Sequence, residues 1–144
     1  MRTVSKFFSD LTSRELYEIL RTRSEIFVVE QNCVYQDLDG KDYESLHVFM
    51  EEDGRVVACL RSFMKDGETA QMGRVATLRH GEGLGRILLE KGIEQIHLRQ
   101  NPKRIYIEAQ CCAAGFYARE GFRVCSEEFL EDGIPHVQMR LAYS

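Results

Sequence analysis

Gln71-Met72-Gly73-Arg74-Val75-Ala76-Thr77-Leu78 runs directly into Arg79-His80-Gly81-Glu82-Gly83-Leu84-Gly85-Arg86. Leu84, Ile87, Leu88, Ile93 and Ile96 then recur on one side of a helical spacing. This order predicts a strand over 71–78, a glycine turn, and a helix from about Gly83 to Arg99. Asn101-Pro102 ends the helix, because proline has no N–H for the ladder and restrains the residue before it. Arg104 to Ala109 alternates, with Ile105 and Ile107 on one face, so a second strand follows. A strand, a helix and a strand in that order predict one parallel crossover.

The glycine turn has its own chemistry. A helix start offers unpaired N–H groups and the positive end of the macrodipole, and glycine lets backbone approach an anion closely. Arg79 and Arg86 add local charge. Two nucleotide fingerprints fail here. A P-loop requires Lys-Ser/Thr after its last glycine, whereas Gly85 is followed by Arg86-Ile87. A dinucleotide motif requires glycine or alanine at position 86 or 88, where arginine and leucine stand.

Outward from this centre, Thr12-Ser13-Arg14-Glu15 reads as a capping box. Leu16, Ile19, Leu20 and Phe27 extend the helix it opens to about Phe27. The stretch Gln31 to Glu44 is polar and acidic, with a turn at Asp39-Gly40, and is expected to be a solvated loop. Leu46–Met50 and Val56–Phe63 read as strands joined through Glu52-Asp53-Gly54. A short helix over roughly Cys112 to Glu120 stops at Gly121, and Phe122–Cys125 and His136–Leu141 supply closing strands. The pattern is a mixed α/β or α+β layer in a single domain spanning 1–144.

The 144 residues are 44% hydrophobic and 29% charged, enough for a core without staples. A formal net charge of -4 argues against general affinity for nucleic acid or an anionic membrane. Five cysteines (Cys33, Cys59, Cys111, Cys112 and Cys125) form no C-x-x-C pair, so neither a disulfide framework nor a metal ribbon is expected. No apolar run approaches the ~20 residues of a membrane span, and a reducing cytoplasm is the expected location.

Four ordered blocks resemble the GNAT superfamily of N-acetyltransferases. Gly73-Arg74-Val75-Ala76-Thr77-Leu78 looks like its cofactor strand, and His80 to Gly85 is close to Gln/Arg-x-x-Gly-x-Gly/Ala. Gln110-Cys111-Cys112-Ala113 with Phe116-Tyr117-Ala118-Arg119-Glu120-Gly121-Phe122 is similar to the family's terminal Phe-Tyr-x-x-x-Gly-Phe. Arg23 to Gln31, Asp37 to Asp42 and Glu131-Asp132-Gly133-Ile134-Pro135-His136 resemble the ElaA-type branch. The resemblance implies a mostly antiparallel sheet flanked by helices, with one parallel pair splayed between Val75 and Ile105. It implies acetyl-CoA as co-substrate, with Val75, Ala76 and Thr77 pairing with the pantetheine arm. Backbone from His80, Gly81, Glu82, Gly83, Leu84, Gly85 and Arg86 would cradle the pyrophosphate, and Gln110, Ala113, Phe116 and Tyr117 would complete the site. Two departures stand out: His80 occupies the Gln/Arg position, and the turn from Leu78 to Gly81 is shorter than usual.

The family role implied for Tyr117 is the acid that meets the leaving thiolate. A phenol, with an ordinary pKa near 10, is protonated at neutral pH. Backbone N–H groups near Ala76 are candidates for the developing oxyanion. His136 and Glu30 are the candidate bases, each with a structural role as its alternative. The acceptor is expected to be a primary amine of a small molecule or peptide, with no nucleic acid, membrane or metal involved; a homodimer stays open. Two other readings remain beside the enzyme: a non-catalytic acyl-CoA-binding module or partner subunit, and a thiol-dependent protein using Cys111 or Cys112. Asp37, Asp39, Asp42 and Glu44 lack EF-hand spacing, and His47 and His97 read as ordinary partly buried or surface histidines.

Overall fold

The computed structural model describes residues 1–31, 37–79 and 81–142. Strand β1 (Arg2–Phe7) leads to helix α1 (Ser13–Arg23), which passes into a π-helical segment at Ser24–Glu30. Strands β2 (Leu46–Glu52), β3 (Arg55–Met64) and β4 (Thr69–Thr77) follow, then α2 (Leu84–Gln100) and β5 (Arg104–Gln110). Helix α3 (Ala114–Ala118), β6 (Arg123–Val124), β7 (Phe129–Glu131) and β8 (Ile134–Ala142) complete the chain. One sheet runs β1-β2-β3-β4-β5-β8-β6, with β7 also paired to β8. Every pairing is antiparallel except β4 with β5.

The local signals act as their chemistry requires. Thr12 Oγ1 accepts from the Glu15 N–H at 3.1 Å, and Glu15 Oε1 accepts from the Thr12 N–H at 2.8 Å. Asp53-Gly54 and Asp132-Gly133 turn their hairpins with positive φ at both residues, as tight two-residue connections demand. Two expectations are corrected, and one strand not anticipated is added. The first helix leaves α geometry at Arg23 rather than continuing to Phe27. The strand expected over Phe122–Cys125 shrinks to Arg123–Val124. Residues 2–7, whose polar alternation carries little signal, form an edge strand against β2.

Two apolar clusters hold the layers. On one face Leu84, Leu88, Leu89 and Ile96 of α2 pack with Leu60, Ile105, Ile107 and Met139 of the sheet. Burying each such aliphatic side chain contributes about 1.5–3 kcal/mol. On the other face Ile19 and Ile26 cover Phe49, Val56, Cys59 and Ala76. This second cover ends at β4. Beyond it, the alternation of β5 and β8 presents polar side chains, including Tyr106, Glu108, Gln138 and Arg140. Among the described residues no helix is long and apolar enough to cross a membrane.

Candidate active site

The site begins where β4 and β5 part. They pair only through Thr69–Arg104, Ala70–Ile105 and Gln71–Tyr106. Beyond Gln71, β4 keeps β3 on one side and has a free edge on the other. A bulge sharpens the divergence. Gly73 pairs with Arg61 and Ala76 with Cys59, so one extra β4 residue is inserted there, and Arg74 takes φ 51. Further along, the Leu78 N–H donates to Val57 O at 2.8 Å. Antiparallel alternation from that bond turns the Ala76 amide toward β3 and those of Val75 and Thr77 toward the free edge.

Helix α2 starts at the head of this opening. Gly81 and Gly83 take φ 79 and 75, and no atom lies within 4 Å of where a Cβ would stand at either. Gly83 is the N-cap and no side chain caps the helix. The first helical N–H accounted for is that of Ile87, donating to Gly83 O at 3.3 Å. The amides of Leu84, Gly85 and Arg86 are therefore free for an external acceptor. Arg79 is already paired with Glu52, and the exposed Arg86 lies 3.3 Å from Glu90. Glu82 is exposed, and His80 lies outside the described residues. The uncapped amides thus dominate the cradle, which fits a pyrophosphate.

Helix α3 closes the other bank. A Cβ added at Gly85 would lie 3.5 Å from Phe116 and 3.7 Å from Thr77, so α2, α3 and β4 meet here. Tyr117 packs edge-on against Phe116 and Phe122 at 5.1 and 5.9 Å between ring centroids. Burial pushes its phenol up to about 12. Gln110, Ala113 and Tyr117 line a cavity of about 700 Å³ together with Val75 and His136.

His136 reaches this cavity from β8, opposite Gln110 of β5, and is 8% exposed. Its Nδ1 lies 2.7 Å from Ile134 O, and Nε2 lies 3.5 Å from Glu131 Oε2. A neutral ring donating from Nδ1 leaves Nε2 as the acceptor. Burial, then the neighbouring Glu108, raises the Glu131 carboxyl. Glu30, the other candidate base, is exposed at the end of the π-helical segment and is not among the cavity-lining residues.

Of the acidic loop expected over 31–44, residues 32–36 lie outside the described residues and 38–41, 43 and 44 are exposed, but Asp42 is buried and the aspartates are engaged by arginines that were not among the candidate site residues. Arg23, 1% exposed, reaches Asp42 at 2.6 Å and Asp37 at 3.1 Å. Arg61 meets Asp39 at 2.7 Å and Asp42 at 3.2 Å, and Arg74 meets Asp37 at 2.8 Å. Burial opposes ionisation of Asp42, yet Arg23 and Arg61 hold it below the ordinary carboxylate range. The hydrogen bond from Arg61, with charge from Arg74 added, holds Asp39 well below the ordinary carboxylate range too. His47 is buried, with Nε2 3.0 Å from Asp42 O, and burial lowers its pKa. His97 is exposed on α2. The network ties residues 37–42 to the bulge at Arg74, making them one wall of the cavity. Cys111 is partly exposed and Cys112 exposed; burial, then Glu128, raises the Cys111 thiol, away from nucleophilic thiolate character.

A family model described as an acetyltransferase (GNAT) domain matches residues 10–143. A UPF0039 protein of Schizosaccharomyces pombe is 36% identical over 142 residues, covering 96% of this chain and 95% of the relative. A crystal structure of an acyl-CoA N-acyltransferase from Pseudomonas aeruginosa superposes with a TM-score of 0.91 at 36% identity, covering 99% of this chain and 100% of that one. The Escherichia coli ElaA crystal structure gives a TM-score of 0.91 at 34% identity, covering 97% and 99%. With the sheet parted between β4 and β5 and the uncapped α2 start at its head, these matches place the chain in the GNAT acetyltransferase family, among its ElaA-like members.

Proposed function

We propose that the protein transfers an acetyl group from acetyl-CoA directly to a primary amine. One observation carries this reading: the free β4 edge and Tyr117 line a single opening, and the uncapped start of α2 abuts its bank where Gly85 approaches Thr77 and Phe116. Acetyl-CoA, when bound, supplies an activated acyl group as a thioester. The free edge of β4 is suited to pair with an extended amide-bearing arm, and the amides of Leu84 to Arg86 to hold two phosphates. N–H groups of Val75 and Thr77 face the position where negative charge develops on the acyl oxygen. The Tyr117 hydroxyl donates a hydrogen bond toward the departing sulfur. His136 Nε2 takes the proton that the attacking amine must lose, and Glu131 steadies the imidazolium that results.

The test follows free thiol while purified protein is offered acetyl-CoA and a panel of primary amines. Turnover with at least one amine and calorimetric binding of acetyl-CoA are expected. Binding without turnover would instead identify a non-catalytic acyl-CoA module, and absence of both would overturn the proposal.

A further inference from the structure

A second cavity, of about 340 Å³, lies beside the first and shares Lys65 with it. Strand register puts both on the same sheet face. Gln110 pairs with His136, Glu108 with Gln138, and Tyr106 with Arg140, so these three rungs descend in order from the active-site opening. Arg140 also pairs with Arg123 of β6, which puts two like charges directly opposite each other. Such a pair is destabilising unless something negative lies over it. Among the described residues neither arginine has an acidic partner within ion-pair distance, although the chain as a whole is acidic.

Other cations join this row. The Lys65 ammonium sits 4.1 Å above the Tyr106 ring, and Arg104 lines the same groove while bonding Thr69 Oγ1 at 2.8 Å. Among the described residues the one acid lining the groove, Asp66, is engaged by the N–H groups of Glu68 and Thr69 at 2.8 and 2.9 Å. Glu68 outside it reaches Arg104 at 3.5 Å and Lys103 at 3.2 Å, leaving Lys65 and Arg140 uncompensated. The upper rungs have the opposite character. Glu108 and Glu131 flank the entrance beside His136.

We propose that the acceptor is an amine bearing an anionic oxygen group, carboxylate or phosphate, seated in the groove of Lys65, Arg104, Tyr106 and Arg140. This rests on the acetyltransferase reading above. Four residues of extended strand, about 13 Å, separate the His136 rung from the Arg140 rung, and the reach of the long lysine and arginine side chains sets the amine-to-anion distance at roughly 7–13 Å. The glutamates at the entrance draw the ammonium end inward, and the cations hold the anionic end outside.

Four amines of one chain length test the proposal: hexylamine, 1,6-diaminohexane, 6-aminohexanoate and 6-aminohexyl phosphate. The two anionic amines are expected to show kcat/KM at least about tenfold above hexylamine, chiefly through KM, and their ranking distinguishes carboxylate from phosphate. In Arg140→Glu, the ratio of anionic amine to hexylamine should collapse. Independently of turnover, 6-aminohexyl phosphate should shift the amide resonances of Lys65, Tyr106 and Arg140, and hexylamine should not. Hexylamine or the diamine equalling the anionic amines, an unchanged ratio in Arg140→Glu, or absence of those shifts overturns the inference. A protein that binds acetyl-CoA and acetylates hexylamine without preference retains the acetyltransferase reading. One that neither binds acetyl-CoA nor acetylates any amine loses both.

Discussion

With its phenol raised to about 12, Tyr117 is a hydrogen-bond donor throughout the physiological range. An ordinary thiol, near 8.5, parts with its proton more readily than such a phenol. Tyr117 therefore stabilises the departing sulfur mainly by sharing its proton, and its contribution belongs at the low end for a general acid. Tyr117→Phe is expected to lower kcat by about 10²-fold with little change in acetyl-CoA affinity; an unchanged kcat, measured beside calorimetry, removes Tyr117 from the chemistry. Legibility differed residue by residue. Tyr117 stands in a short aromatic-glycine motif, and the glycines of the loop declare their left-handed backbone by type. Glu131 becomes a neighbour of His136 only through the hairpin turned at Asp132-Gly133. The pairing of Arg23, Arg61 and Arg74 carried no local signal, because a buried arginine is intelligible only once its distant aspartates are seen folded over it.

At the scale of elements, the segment from Asp37 to Glu44 behaves as a strap fastened by charge. Its sequence looked like a solvated loop because polarity alone does not distinguish carboxylates facing water from carboxylates facing arginine. Asp42→Asn leaves Arg23 with a weakened partner at a buried position, and the expected loss is about 3 kcal/mol by chemical denaturation. The pH dependence has a definite sign. The folded-state pKa of Asp42 is depressed, so its contribution is fully present above the unfolded value near 3.9 and is lost as pH falls through the folded value. The stability gap between wild type and Asp42→Asn should be full at pH 7 and close progressively below about pH 4; a gap independent of pH would contradict the ionic account. The π-helical segment also sets where Glu30 stands. Apolar spacing extrapolated an α-helix through Phe27, but each π turn takes an additional residue and rotates the residues after it. Val28, Val29 and Glu30 consequently face outward.

For the molecule as a whole, the crossover β4-α2-β5 was legible because it is written in periodicities, two then 3.6 then two, separated by glycine and proline. The splay was legible only through the family resemblance, since it depends on a bulge whose left-handed residue is an arginine rather than a glycine. Under the proposed function, a ligand paired along β4 and held at α2 binds only the folded chain. Acetyl-CoA at a hundred times its Kd is expected to stabilise the fold by about 2.7 kcal/mol and to raise Tm in a concentration-dependent way. A Tm indifferent to acetyl-CoA while amine acetylation proceeds would place its binding elsewhere.

The parting of β4 from β5 has one more consequence. An unpaired strand edge is normally an invitation to other chains, and proteins blunt it with charge, proline or a covering loop. Here the exposed hydrogen-bonding row lies between two strands of the same sheet, with the β7-β8 hairpin and the pinned strap as walls. A single extended ligand can pair along such a row without neighbours of its own, whereas a strand already inside another sheet brings them with it. The molecule thus keeps its adhesive row in readiness within the sheet rather than along the sheet's outer margin.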